Sequence, residues 1–269
     1  MHVDIKQIQD RFSGEEYLDF YDKYRPSAPQ ALVNSALQYA RVKHAGLIVD
    51  IGSGTGLSTF IWKNCATSII GVDPSADMRR LAESHLDQTM SHISFIHGTG
   101  QEVEVEDASV DIVSCGQVFH WMETEKALRE VHRILRPGGV FVVYDCAWPP
   151  IFHPDLESAY RNLFVRIDQI AKGYNSEIVI GHMKQKHFEN IDGSGYFDSV
   201  HASDYNKTET GSLERFEGIL LSQGGVHALL REGFTEEEIG LAQFKKSIRM
   251  VQDVPDQMTF HFKSIFAVK

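Results

Sequence analysis

Cysteine is scarce in this 269-residue chain: Cys65, Cys115 and Cys146 are the three present, and no CxxC pair occurs. That usage excludes a disulfide framework and a cysteine-rich zinc site. Histidine is plentiful at 13 residues, yet no HExxH or HxH pattern groups them, so no metal site is expected. Basic charge is short as well: 26 Lys and Arg against 37 Asp and Glu leave a net charge of −11. A phosphate-backbone partner would require a basic footprint, so nucleic acid is not expected as a partner. The acid surplus reads as ordinary solubility. No apolar run reaches membrane-spanning length, and Met1-His2-Val3-Asp4 lacks a basic n-region and an apolar h-region. The expectation is a soluble, cytoplasmic protein with no membrane partner, acting as a monomer or homodimer.

What the chain does possess is Leu47-Ile48-Val49-Asp50-Ile51-Gly52-Ser53-Gly54-Thr55-Gly56. Its apolar first half reads as a strand covered on both faces. The glycines then let the backbone turn tightly and approach a ligand without Cβ atoms in the way. A helix is predicted to follow, near Leu57 to Cys65.

Around this stretch the chain alternates strand and helix. Strands are predicted over Ser68 to Asp73, Ile93 to His97, Val110 to Ser114 and Val140 to Tyr144, the last after a Pro137-Gly138-Gly139 turn. Helices are predicted from Pro74-Ser75 onward, with Met78, Leu81 and Leu86 on one face, and from Glu123 to Leu135. Such β-α repeats specify an α/β fold with a parallel, doubly wound sheet whose ligands sit at the carboxyl ends of the strands. Ahead of the repeats, Phe12, Tyr17, Phe20, Tyr21 and Tyr24 cluster in a helical lead-in, and a second helix is predicted from Pro29 to Val42. The aromatic cluster reads either as packing or as a flap with Tyr24 and Arg25 facing the site. Beyond Trp148 the rhythm breaks. A helix is expected from Pro154 to Ala171, a polar stretch from Gly173 to Gly195, and a strand over Phe197 to Tyr205. Helices over Ser212 to Leu221 and Thr235 to Ser247 precede a closing strand, Thr259 to Val268.

The glycine turn admits three nucleotide-like occupants. A P-loop needs Gly-Lys-Ser/Thr, and Leu57-Ser58 follows Gly56, so that reading fails. A dinucleotide fold needs GxGxxG, and Gly56 sits one residue early. Asp50, two residues before the first glycine, would set negative charge against a pyrophosphate but would suit an ammonium. S-adenosylmethionine (SAM) carries an ammonium and a sulfonium and no phosphate. Asp73, ending the second strand, suits both ribose hydroxyls, or serves as a helix N-cap before Pro74.

Val49 to Gly56 and Gly71-Val72-Asp73-Pro74-Ser75 resemble the first two motifs of class I SAM-dependent methyltransferases, as does Gly98 through Asp111. Gln117-Val118-Phe119-His120-Trp121 and Arg133-Ile134-Leu135-Arg136-Pro137-Gly138-Gly139 resemble the type 11 subgroup. Phe12-Ser13-Gly14, Tyr24-Arg25-Pro26 and Leu220-Leu221-Ser222-Gln223 are similar to its trans-aconitate methyltransferase-like, small-molecule members. The resemblance implies a Rossmann-like, seven-stranded, mostly parallel sheet with an antiparallel last strand. It also implies one methyltransferase domain over 1–269: an N-terminal helical flap (1–45), a SAM-binding core (46–147), a helical lid insertion (148–196) and a C-terminal part (197–269). In the implied pocket Gly52 and Gly54 meet the methionine part of SAM, and Asp50 orients its ammonium directly or through water. Asp73 holds the ribose, and Pro74 and Met78 flank the adenine. Thr99, Gly100 and Gln101 lie along the adenine edge, with Thr99 where the family commonly has an acid, and Gln117 lies near the transferred methyl.

Methyl transfer needs an aligned nucleophile and excluded water, and a base only when the nucleophile arrives protonated. His120 is the candidate base, or else a loop histidine packed beside Trp121, which would wall the acceptor pocket. Arg25, with Tyr24 beside it, would suit an anionic acceptor or serve as a surface ion pair. Asp145, Trp148 and the segment from Phe152 would cover the acceptor. Cys115 and Cys146 raise arsenite methylation as a side reading, against buried structural cysteine. The expected function is methyl transfer from SAM to a small-molecule acceptor, at a carboxylate or hydroxyl oxygen. The alternative is a SAM-binding, non-catalytic or regulatory protein of the same fold, and a dehydrogenase stands third.

Overall fold

The apolar runs found in the sequence become adjacent strands whose side chains enter two buried cores, one on each face. The computed structural model describes residues 15–173 and 186–269. Phe12 and the Phe12-Ser13-Gly14 stretch therefore lie outside the described residues, as does much of the polar stretch beginning at Gly173.

Two helices lead in, α1 (Glu15–Tyr24) and α2 (Gln30–Tyr39). Strands β1 (Ala45–Ile51), β2 (Ala66–Val72), β3 (Ile93–Ile96) and β4 (Val110–Gly116) follow, with α3 (Ala76–Ser84) after β2. Next come α4 (Thr124–Ile134), β5 (Leu135–Cys146), α5 (Pro154–Gly173) and α6 (His187–Asp192). The chain ends with β6 (Ser199–Thr210), α7 (Leu213–Leu221), α8 (Gly224–Arg231), α9 (Glu236–Ile239), α10 (Leu241–Met250) and β7 (Gln257–Val268). The seven strands form one sheet in the order β3-β2-β1-β4-β5-β7-β6. β7 runs antiparallel to both of its neighbours, and the β1 to β5 pairs are parallel. This is the expected sheet, with the last strand slotted inside the edge.

Successive residues of the central strands feed two cores on opposite faces, as strand alternation requires. Ile48, Ile69, Ile112, Val140 and Val142 join one, which also takes in Leu32, Val33 and Ala36 of α2. Val49, Ile51, Val113, Phe141 and Val143 join the other, covered by Ala127, Leu128, Val131 and Ile134 of α4. Each fully buried aliphatic side chain contributes roughly 1.5–3 kcal/mol. Both faces of the sheet are thus covered, and the strand ends are left to make a site. Among the described residues no helix is long and apolar enough to cross a membrane.

Four local expectations change. The helix predicted near Leu57 to Cys65 is a run of turns with a single 3-10 turn at Phe60–Trp62. Ser58 and Thr59 spend their hydroxyls on Asp50, which holds this stretch as turns. The Pro137-Gly138-Gly139 turn is instead an irregularity inside β5, which starts at Leu135 opposite Val110 and shifts register before Val140. The helix predicted over Thr235 to Ser247 breaks into two at Gly240, whose φ of 89° ends α9. Helices α6 and α8 had no sequence signal strong enough to announce them. α8 opens on Gly224-Gly225, and glycine is a poor helix former.

Candidate functional site

The carboxyl ends of β1, β2, β4 and β5 surround a cavity of about 1130 Å³. Its two halves are built by different stretches.

In the first half, the turn after β1 is shaped by glycines with distinct reasons. Gly52 has φ of 72°, and a Cβ there would lie 2.4 Å from Val118 Cγ2. Its N–H donates to Val72 O at 2.7 Å, so the turn is stitched to the end of β2. Gly54 has φ of 54°, and its absent Cβ would meet only Met78 Sδ at 4.0 Å, so this position opens on the cavity. The Gly54 N–H donates to Asp73 Oδ2 at 3.0 Å, and Ser75 N–H donates to Asp73 Oδ1 at 2.8 Å. Asp73 is nearly buried at the cavity wall. Burial pushes its carboxyl up, and the N–H bonds from Ser75 and Gly54 oppose that shift. Helix α3 is capped by Ser75, whose hydroxyl accepts from Met78 N–H, so Asp73 is not the cap. Pro74, Met78, Thr99, Gly100, Gln101 and Gln117 all line the same half. The Thr99 hydroxyl accepts from Gln101 N–H at 3.3 Å. Gln117 takes a positive φ of 60° and donates its N–H to Tyr144 O.

Asp50 is the correction in this half. Its carboxylate is wholly buried and accepts from Ser114 Oγ at 2.5 Å, Ser58 Oγ at 2.6 Å and Thr59 Oγ1 at 2.7 Å. It does not line the cavity. Burial pushes its carboxyl up, the three hydroxyls oppose this, and the Asp73 charge adds to the rise. Asp50 therefore ties the glycine turn to β4. Val118 and Met122 are cavity residues that the sequence reading left out. Met122 Sδ would sit 2.4 Å from a Cβ on Gly100, so that glycine makes room for it.

The second half gathers His120, Trp121, Asp145, Trp148, Tyr160 and His187. The 3-10 turn Phe119–Trp121 after β4 places His120, which is buried. Its ring lies 5.2 Å from that of Trp121, so the packing contact is present, and the side chain also lines the cavity. Asp145, near the end of β5, stands with Oδ1 4.0 Å from His120 Nδ1 and Oδ2 3.6 Å from His187 Nε2. His187, from α6, escaped the sequence reading because nothing local marks it; only the fold brings it to His120.

The flap residues divide differently from expectation. Tyr24 is absent from the cavity wall: its hydroxyl donates to Glu214 at 2.8 Å, and its ring fills the space beside Gly218. Tyr21, one turn earlier, lines the cavity instead. Arg25 reaches the cavity, but its guanidinium donates to Ser222 Oγ, Ser222 O and Gln223 Oε1 and lies over the Tyr21 ring. It therefore joins α1 to the end of α7 through Nε and Nη2 while lining the cavity, and no ion pair of its side chain is found among the described residues. Cys146 lines the cavity and Cys115 does not; burial holds the Cys115 thiol well above its usual range. The dithiol needed for the arsenite reading is thus not assembled.

A family profile described as "Methyltransferase domain" matches residues 49–143. A protein described as a probable SAM-dependent methyltransferase, CRG1 of Saccharomyces cerevisiae, is 34% identical over 62% of this chain and 59% of its own length. The uncharacterized methyltransferase Rv3342 of Mycobacterium tuberculosis is 34% identical over 44% of this chain and 46% of its own. The chain thus spans about half the length of the curated relatives it matches. Among solved structures, a type II methyltransferase candidate from Anaeromyxobacter dehalogenans covers 91% of this chain and 97% of its own at 20% identity, with a TM-score of 0.62. A phosphoethanolamine N-methyltransferase from Haemonchus contortus, solved with phosphomonomethylethanolamine and S-adenosylhomocysteine, covers 99% of this chain and 60% of its own at 17% identity and a TM-score of 0.55. These identities speak for a shared fold. None of these relatives bears specifically on a trans-aconitate acceptor.

Proposed function

Residues 49–143 are a class I methyltransferase domain of the type 11 family, and from that premise we propose that the protein moves a methyl group from SAM to an oxygen of a small molecule. The observation that carries this reading is the continuity of one cavity from Gly54 and Asp73 at one end to His120 at the other. Bound SAM would supply an electrophilic methyl on its sulfonium.

The residues present fit such a cofactor. Gly54 leaves open the space a Cβ would fill, and each Asp73 oxygen receives one N–H, leaving lone-pair capacity for two ribose hydroxyls. Pro74 and Met78 would flank the adenine, with Thr99, Gly100 and Gln101 along its edge. In this reading Asp50 serves by fixing the turn. The structural neighbour solved with S-adenosylhomocysteine supports the same choice. At the far end His120 takes the proton of an acceptor hydroxyl, with Asp145 beside it to stabilise the imidazolium. Trp121 and Trp148 wall off water, which would compete as a nucleophile. The net charge of −11 favours a small molecule over a nucleic acid as acceptor.

The test incubates the full chain with methyl-labelled SAM and a panel of carboxylates, phenols and amines. Label in an ester or ether product is the expected result. SAM binding without transfer to any acceptor would favour the regulatory alternative.

A further inference from the structure

The acceptor end of the cavity carries three groups whose chemistry exceeds proton transfer. His120 comes from the turn after β4, Asp145 from β5 and His187 from α6, so three separate elements converge. One ligand-type atom from each, two imidazole nitrogens and one carboxylate oxygen, lies within 4.8 Å of the others. His120 Nδ1 stands 4.0 Å from Asp145 Oδ1, and His187 Nε2 stands 3.6 Å from Asp145 Oδ2. A tetrahedral ion with bonds of about 2.1 Å spaces its ligands by about 3.4 Å. Closing the shell therefore asks for separations to contract by about 1.4 Å or less.

We propose that His120, Asp145 and His187 hold a divalent transition-metal ion of the zinc, iron or manganese class, with an open position facing the acceptor. Two imidazoles and one carboxylate are a donor set for such ions, whereas magnesium and calcium prefer oxygen throughout. Three protein ligands on a cavity wall leave further coordination positions directed into the cavity, the arrangement of a reactive rather than a structural site. The aromatic neighbours restrict the imidazoles: Phe119 lies 5.0 Å from the His187 ring and Trp121 lies 5.2 Å from that of His120. Lys263 pairs with Asp145 across the β5–β7 ladder and also lines the cavity, so it is a competing cation in register.

With one carboxylate and two neutral imidazoles, a divalent ion leaves a site of net charge +1. That charge selects an acceptor that presents an oxygen as an anion, a carboxylate or a readily ionised hydroxyl. The acceptor class rests on the methyl-transfer reading; binding of the ion does not. In the metal-free protein His120 serves as the proton acceptor. With an ion held there both imidazoles would be ligands, and the ion would lower the acceptor hydroxyl's pKa so that the acceptor binds as its anion, its proton left in bulk solvent before it enters the cavity.

The test uses the untagged full chain, stripped with EDTA and titrated calorimetrically with Zn²⁺, with Co²⁺ as the spectroscopic probe. One ion per chain and visible Co²⁺ ligand-field bands are expected. His187→Ala and Asp145→Asn should each weaken binding by more than the roughly 10–100-fold typical of lost outer-shell partners. S-adenosylhomocysteine binding by the same variants checks that they fold, and His187→Gln replaces His187→Ala if that variant does not. No stoichiometric binding by the wild type, or unchanged binding in both variants, overturns the site. A bound ion without methyl transfer to any acceptor would sink the activity and leave the metal site standing; transfer with no ion bound would do the reverse.

Discussion

Asp73 at the end of β2 accepts the amide N–H of Gly54 at 3.0 Å, and this bond joins the second strand to the glycine turn of the first. A second N–H, from Ser75, holds the other carboxylate oxygen. The carboxylate is thereby fixed at the cavity wall before any ligand arrives. Preorganisation of this kind reduces the ordering that binding would otherwise require.

Asp73→Ala removes both the anchor and the link between the strands. Hydrogen bonds to a charged group contribute about 1.5–3 kcal/mol, so S-adenosylhomocysteine affinity should fall by roughly 10- to 150-fold. Calorimetric titration measures this directly. Unchanged affinity would show that the carboxylate does not hold the cofactor.

Asp50 predicts a different signature. Asp50→Ala orphans the hydroxyls of Ser58, Thr59 and Ser114, and should cost about 3 kcal/mol of folding stability. Asp50→Asn keeps an acceptor at the centre of the three and should cost less. Denaturant unfolding ranks the two variants, and the Asn variant should bind S-adenosylhomocysteine within a few-fold of wild type. A well-folded Asp50→Asn with cofactor affinity reduced a hundredfold would mean that the carboxylate reaches the ligand after all.

Much of this architecture was legible in the residues, because strand runs such as Leu47 to Ile51 and markers such as Asp73 act locally. The cavity positions of Gly52, Gly54 and Gln117 follow from their places just past strand ends, and that of Met78 from the first turn of the helix after β2. What escaped depends on distant contacts. Asp50 looks like a ligand group until Ser114, on a neighbouring strand, is seen to claim it. Tyr24 and Tyr21 are equivalent as aromatics one helical turn apart, and only the docking of α1 against Gly218 decides which faces the cavity. His187 has no sequence neighbour that would mark it, since its partners come from β5 and the turn after β4.

The two glycines of the turn should respond differently to alanine. A Cβ at Gly54 enters open space, and the cost is the positive φ, about 1–2 kcal/mol. Gly54→Ala should therefore fold and lose at least tenfold in cofactor affinity, because the methyl occupies ligand space. A Cβ at Gly52 collides with Val118 at 2.4 Å, so Gly52→Ala should lose much more stability. Thermal unfolding with and without S-adenosylhomocysteine separates the cases: ligand should raise the Tm of Gly54→Ala less than that of wild type. A full ligand-induced shift would place the cofactor elsewhere.

Acid stability offers a test far from the cavity. Asp111 is partly buried, which pushes its carboxyl up, but the Arg136 guanidinium at 2.5 Å and the N–H groups of Leu47 and Gly46 outweigh this and hold it below the usual carboxylate range. A carboxylate with a depressed folded-state pKa adds stability above its unfolded value of 3.8, and that stability disappears as pH falls through the folded value. Between the two values the unfolded chain binds the proton more readily, so stability should decline with acid across that window. Asp111→Asn should be less stable than wild type at neutral pH, and the gap should narrow as both are taken below pH 3.8. Urea unfolding at a series of pH values reads this out. A gap that stayed constant with pH would assign the loss to the N–H contacts with β1 and not to the charge on Asp111.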